Sequence, residues 1–362
     1  MNNVSDVKRD RIVLIAGVAP YWGIQSGPVI FRHLLRLSRT HEVVVAVFGG
    51  EAPPDYPFKI ERLDRRSRLW PPQRRWLPGS TNLRRWLQAQ QLGRRLRLTP
   101  DDRLLICLHT DEHFLARQLS VSFGCPIVGI LHDMWPDSVQ PGLVDTMRRC
   151  SGVLAVSAGL ARRARAHGAR NVARMHPIGE TFVGTAQEPP SGELVLGVAG
   201  SMSADYVDVA SRLADEVVAL GATPEMCAGR KVRPLPRFAT NRDALSFLAA
   251  TCHALVVYQT FDTTQAYLEY SFPSRLIDFA QTGLPIVICA PPGSSLGEWA
   301  QDHAWPLWLS RGDDQQQIEK IRSKLLDPAD WAAQCAIVTE LARTEFSPDR
   351  IHEMLENALA VV

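Results

Sequence analysis

The chain has 362 residues, with 40 Lys+Arg against 38 Asp+Glu for a formal net charge of +2, and is 46% hydrophobic and 22% charged. That composition excludes a disordered chain, a collagen-like repeat and a coiled coil, and no apolar run reaches the ~18–20 residues a membrane-spanning helix needs. At ~100–200 residues per domain the length predicts two domains.

Read from its start, MNNVSDVKRDR shows no signal-peptide core. RIVLIAGV (11–18) is a continuous apolar run closed by Gly17, and VIFRHLLRLSRT (29–40) has helical spacing. HEVVVAVFGG (41–50) is a second buried strand, and RLLICLHT (103–110), PIVGILHD (126–133) and VLAVS (153–157) repeat the pattern, with HFLARQLSVSF and GLARRARAHGA as intervening helices. Continuous Val/Ile/Leu runs suit parallel strands covered on both faces, and their alternation with helices predicts βαβ units. VGTAQEPPSGE (183–193) is polar and Pro/Gly-rich, which predicts a linker over 184–193 between a first domain at 1–183 and a second at 194–345. The rhythm restarts at LVLGVAGS (194–201), and ALVVYQ (254–259) and LPIVICAPPG (284–293) are further strands. The last stretch, 346–362, has helical spacing and no following strand. Seven scattered cysteines, an odd number, fit reduced thiols in a cytosolic protein.

Ligands of open α/β sheets bind at the carboxyl ends of strands, which nominates loops before any motif does. The sharpest is YSFPSRLIDFAQTGLPIVI (270–288). Pro273 suits a helix start, Ser274 and Arg275 follow in its first turn where an anion is favoured, and Asp278 lies one turn on, placed to accept ribose hydroxyls. The same spacing also suits an ordinary helix with an exposed Arg275–Asp278 pair. GVAPYWGIQSGP (17–28) is a glycine loop that lets backbone approach a phosphate or sugar, or a plain turn; it is neither a dinucleotide nor a P-loop signature. LHDMWPD (131–137) ends a strand with His132 and Asp133, able to meet a phosphate or hydroxyl and to act as a base, or serving as structural residues. His109 and His113 have i,i+4 spacing, but no second ligand cluster completes a metal site. No G-x-S-x-G elbow is present, which disfavours a serine hydrolase.

PSRLIDFAQTGLPIVI resembles the donor-site signature of GT-B glycosyltransferases of the family 4 type (glycosyltransferase group 1), written P-S-K-x-x-E-x-x-A-x-G-x-P. GVAPYWGIQSGP resembles the family's first glycine loop, HDMWPDS its H-D-x-W-P-E segment, and VLAVSAGLARRARAHGARNVARMHPIG the stretch leading to its N-G loop. The resemblance implies an α/β protein of two Rossmann-like domains facing a cleft, with the nucleotide-sugar held mainly by the second and the last helix crossing back to the first. Residue by residue, it puts Asp278 on the nucleotide ribose, Ser274 and Arg275 at the diphosphate, Gly23 in the glycine loop and His132 near the transferred sugar. It implies transfer with retention, without metal or cofactor, the nucleotide-sugar being a substrate.

Three departures stand out. The position eight before Asp278 is Tyr270, so the E-x7-E pair is incomplete, with Glu269 one residue off. The N-G pair is replaced by His176-Pro177-Ile178-Gly179. The basic residue expected beyond Gly200 and Ser201 is missing from GSMSADYVD (200–208), which nominates Arg230 or Lys231 to supply that charge.

The near-zero net charge hides its parts. Residues 59–97 carry twelve Lys/Arg against Glu61 and Asp64, a net +10 beside −8 for everything else, together with Trp70, Trp76 and Trp86. Tryptophan with Arg74, Arg75, Arg84 and Arg85 is the composition of an interfacial membrane segment, or of a solvated helical face with its tryptophans in the core. No motif supports a nucleic-acid partner. The expected function is transfer of a sugar from a nucleotide-sugar to a glycan or lipid-linked acceptor in cell-envelope polysaccharide synthesis, by a cytoplasmic protein attached peripherally to the inner face of the plasma membrane. A nucleotide-sugar epimerase on the same fold, or a non-catalytic scaffold, are the alternatives.

Overall fold

Short apolar runs that predict buried parallel strands do form them, in two separate sheets. The computed structural model describes residues 10–22, 27–49, 51–62, 80–108, 112–132, 141–184, 188–200 and 202–361, with backbone alone for 80–85, 141 and 266. Gly23, Trp70, Arg74, Arg75, Trp76, Asp133 and Ser201 therefore lie outside the described residues, as do the side chains of Arg84 and Arg85.

The first unit holds β1 (Arg11–Ala16), α1 (Gly27–Leu37), β2 (Glu42–Val47), β3 (Lys59–Arg62), α2 (Ser80–Leu96), β4 (Arg103–Cys107), α3 (His113–Phe123), β5 (Ile127–Leu131), α4 (Pro141–Arg149), β6 (Gly152–Ala155), α5 (Ala158–Ala166) and β7 (Val172–Arg174). Its sheet runs β3-β2-β1-β4-β5-β6-β7, and every pairing is parallel. Val44, Val45 and Ala46 of β2 and Leu104, Leu105 and Ile106 of β4 are fully buried, as strands covered on both faces require.

The second unit holds β8 (Val195–Ala199), α6 (Ala204–Leu213), β9 (Glu216–Leu220), α7 (Pro224–Cys227), β10 (Val232–Leu235), α8 (Asn241–Thr251), β11 (Ala254–Tyr258), a 3-10 turn (Ala266–Glu269), α9 (Ser274–Ala280), β12 (Ile286–Cys289), α10 (Ser295–Asp302), β13 (Trp308–Leu309), α11 (Gln315–Leu326) and α12 (Pro328–Arg343). Its parallel sheet runs β10-β9-β8-β11-β12-β13. Both sheets thus start from a central strand, step outward twice, then return to the other side. That order creates a topological switch point, between β1 and β4 in one sheet and between β8 and β11 in the other.

The chain passes from the first unit to the second at Met175–His176, ahead of the polar segment at 184–193, and returns at Ile351–His352. The physical reason is local anchoring of residues 176–183 to the second unit. His176 Nε2 meets Glu345 Oε1 at 2.7 Å, Glu180 N–H donates to Asp278 Oδ1 at 2.9 Å, and Val183 N–H donates to the Gln281 carbonyl at 2.8 Å. The final helix α13 (Pro348–Ala360) docks on the first unit. There His352 Nδ1 meets His33 Nδ1 at 3.1 Å, the Leu359 carbonyl accepts from Arg103 Nε at 2.9 Å, and Gly152 leaves room for Ala358.

Both ends of the basic 59–97 stretch belong to the first unit's framework. β3 is the sheet's edge strand, and α2 packs on α3 where Gly93 meets the Phe123 ring. Ala89, Leu92 and Leu96 form the buried face of α2, whereas Trp86 is 43% exposed and Leu87 is exposed beside it. Trp86 is therefore not a core residue. Among the described residues no helix is long and apolar enough to cross a membrane.

Candidate functional site

The switch point of the second sheet carries the densest chemistry. The chain leaves β8 at Gly200 with φ +102°, a conformation that costs glycine little and other residues much. A β-carbon there would fall on the Arg275 guanidinium, so the absence of a side chain is what admits the arginine. Arg275 is the second residue of α9, the helix that follows β11 across the switch point. Burial lowers its pKa from the ordinary 12.5, an effect opposed by attraction to Tyr206 and Asp278 and reinforced by repulsion from Arg237. It stays charged at neutral pH, since a guanidinium is not deprotonated in proteins. Among the described residues no hydrogen bond or ion pair holds this guanidinium.

Arg237 repeats the device one strand over. Gly221 follows β9 with φ +86°, and a β-carbon there would lie 3.0 Å from Arg237 Nε and 3.1 Å from its Cγ. Arg237 follows β10 and is exposed, and no hydrogen bond or ion pair holds its guanidinium among the described residues. Beneath this rim Tyr206 and Tyr258 stack with ring centres 5.0 Å apart, and the Tyr206 hydroxyl donates to the Val256 carbonyl. Gln259, just past β11, accepts from Leu296 N–H at 3.0 Å and donates to the Ser271 carbonyl at 2.7 Å, which fixes the approach to α9.

Of the residues nominated from sequence, Gly200, Ser274, Arg275 and Asp278 come together at the carboxyl ends of β8 and β11. Ser274 opens α9, with Pro273 preceding it in extended conformation. Asp278 has a role the sequence did not suggest: its Oδ1 accepts from Glu180 N–H, and Gly179 packs against Ile277 and this same oxygen. It fastens the 176–183 segment to α9.

Arg230 and Lys231 require correction. Both precede β10, whose Val232 pairs with Val217 near the start of β9, so they sit at the amino ends of the strands, away from Gly200. Arg230 pairs with Asp208 at 3.2 Å, and Lys231 acts on Asp215. Leu235 pairs with Leu220, which pairs in turn with Ala199, so it is Arg237, missed from sequence, that stands at the end where Gly200 and Arg275 lie. A cation just after a short edge strand was the available signal, but VRPL did not announce itself as a strand.

In the first unit the corresponding switch point carries a carboxylate. Gly17 follows β1, and a β-carbon there would lie 2.8 Å from Glu112 Oε1. Glu112 is the N-cap of α3, the helix after β4, and its side chain makes no capping hydrogen bond. His132, at the end of β5, is buried, and His33 lies within its electrostatic reach. Burial, followed by the positive potential of His352 and His132, holds the pKa of His33 well below 6.5. His113 is buried, with Nδ1 3.2 Å from Thr146 Oγ1, while His109 lies outside the described residues.

Two parallel sheets in this strand order, in two successive Rossmann-like units, make the GT-B glycosyltransferase fold. Among solved structures, the chain is similar to Anabaena HepE in complex with UDP, at 14% identity and a TM-score of 0.72, over 97% of this chain and 100% of that one. It is also similar to a glycosyltransferase from Rickettsia africae (10% identity, TM-score 0.70, covering 98% of each chain). Sucrose-phosphate synthase from Thermosynechococcus elongatus matches at 13% identity and a TM-score of 0.66, over 96% of this chain and 98% of that one. No family model matches the sequence, and no curated protein matches it.

Proposed function

We propose that the protein is a glycosyltransferase that takes its sugar from a nucleoside diphosphate sugar bound by the second unit. The observation that carries this is the half-buried Arg275 guanidinium laid over Gly200, held by no hydrogen bond or ion pair among the described residues, at the crevice where α/β sheets bind ligands. A cation partly withdrawn from water with no hydrogen-bonded partner is costly, and an anionic ligand offsets that cost. HepE, similar over its whole length, was solved with UDP, which has the required diphosphate.

Arg275 binds the diphosphate, and Ser274 lies beside it at the start of α9. Charge builds on the leaving diphosphate as the glycosidic bond breaks, so a fixed guanidinium there favours the transition state over the bound donor. No pair of catalytic carboxylates is assigned. The departing diphosphate takes the acceptor's proton, transfer proceeds with retention, and no metal or cofactor takes part. Glu112 over Gly17 and His132 at the end of β5 supply a carboxylate and an imidazole to the acceptor's hydroxyls from the first unit. Asp278 acts on the donor ribose by way of the segment it anchors.

The acceptor is a glycan or lipid-linked saccharide of cell-envelope polysaccharide synthesis, reached from the cytoplasmic membrane face. The first unit carries 27 Lys/Arg against 16 Asp/Glu, and α2 exposes Trp86 and Leu87 within its basic sequence. Such a surface attaches to anionic lipid, each basic residue contributing about 1 kcal/mol.

The test is a donor panel. Purified protein is incubated with nucleoside diphosphate sugars, with and without membrane lipid extract, and the free nucleoside diphosphate is measured. Acceptor-dependent release is expected with one donor. Release with none of them, together with no binding of any donor, contradicts the assignment.

A further inference from the structure

We infer that Arg237 is the second arm of a two-arginine clamp that grips a diphosphate, one phosphate group per guanidinium, and so makes the site select diphosphates over monophosphates. This rests on the donor reading above and adds a residue to it. The strand register supports it. Ala199 pairs with Leu220 and Leu220 with Leu235, so Gly200, Gly221 and the residues leading to Arg237 emerge side by side from adjacent strands. Adjacent strands lie about 4.8 Å apart, a spacing suited to neighbouring phosphates of one diphosphate.

Each arm uses the same construction. A glycine in the left-handed region ends the strand, and the arginine lies across its bare α-carbon: Arg275 on Gly200, Arg237 on Gly221. The two guanidinium charges thereby act on each other, Asp278 also acts on Arg275, and among the described residues neither guanidinium has a hydrogen bond or ion pair. An exposed arginine free to turn outward reduces that repulsion by doing so; Arg237 instead folds back over Gly221. Two cations at neighbouring strand ends match two adjacent anions. Arg237 also supplies the charge missing from the loop after β8, where GSMSADYVD has no basic residue.

The test is calorimetric titration of the full chain and of its Arg237→Gln and Arg237→Lys variants with UDP, GDP, ADP, CDP and dTDP, followed by the monophosphate of whichever base binds. Loss of charge-assisted hydrogen bonds in Arg237→Gln is expected to weaken the diphosphate about tenfold or more, and the monophosphate less than about threefold. Arg237→Lys is expected to recover part of the loss. Ligand-free melting temperatures of the variants, expected to match the wild type, establish that folding is intact. Unchanged diphosphate affinity in Arg237→Gln, or equal weakening of mono- and diphosphate, overturns the clamp while leaving the donor site standing. A wild-type protein that binds none of the nucleotides overturns both.

Discussion

The two switch points are built alike and charged oppositely. In each unit a glycine follows the first strand of the sheet, Gly17 after β1 and Gly200 after β8. In each, a side chain from the helix beyond the fourth strand position in the sheet lies over that glycine: Glu112 of α3 in the first unit, Arg275 of α9 in the second. A bare α-carbon lies under a side chain in both places, in the left-handed conformation at Gly200 but not at Gly17, and that side chain sets the polarity. The wider charge runs the other way. The first unit has 27 Lys/Arg against 16 Asp/Glu and the second 13 against 22. The cationic crevice therefore sits in the acidic unit, so its preference for anions is local, whereas the first unit's basic excess suits an extended anionic surface.

Breaking the second platform should have the largest effect. Gly200→Ala forces a side chain into a left-handed backbone already occupied by Arg275. Strain of this kind costs about 1–3 kcal/mol, visible in chemical denaturation, and donor binding should fall at least tenfold in titration as Arg275 is displaced. Glu112→Gln at the other platform sharpens the contrast: acceptor-dependent turnover should drop about tenfold or more with donor affinity unchanged, and a change in donor affinity would erase the division between the units.

Acid should separate the units by their buried groups. Because His33 has a folded pKa below its ordinary value, the unfolded chain binds the proton more readily, and the first unit loses stability as pH falls below about 6.5. Glu345 in the second unit behaves differently. Burial alone would raise its pKa, but hydrogen bonds from His176, His303 and the Trp299 indole hold it well below 4.5. Its contribution is present above about pH 4.5 and is lost as pH falls through its lowered folded value. Melting curves between pH 7 and 5 should therefore show the first unit weakening first, and His33→Asn should flatten that slope. The smallest effect is expected at the surface: Trp86→Ala should reduce co-sedimentation with anionic vesicles about two- to fivefold without altering stability, and unchanged vesicle binding would remove α2 from the attachment surface.

The fold was legible because parallel strands buried on both faces must be continuously apolar, as EVVVAV and RLLIC are. Edge strands were not: KIER in β3 and VRPL in β10 each pair on one side only, so they tolerate charge, and in β10 a proline. Missing β10 misplaced the cation, since Arg230 and Lys231 before the strand and Arg237 after it lie at opposite ends of it. Arg275 and Asp278 were legible from the spacing of PSRLID, but the tie from Asp278 to Glu180 was not, because it joins segments 98 residues apart. Glu112 was legible only as a residue between His109 and His113 at a strand end; its meaning comes from Gly17, a neighbour only in space.

The most direct measurement is calorimetric titration of the donor site in Arg275→Ala beside the wild type. With the nucleoside diphosphate that binds the wild type, at one site per chain, the variant should lose about tenfold to a hundredfold in affinity while retaining its ligand-free melting temperature. Equal affinity in the two proteins would contradict the assignment of the second unit's crevice as a diphosphate site.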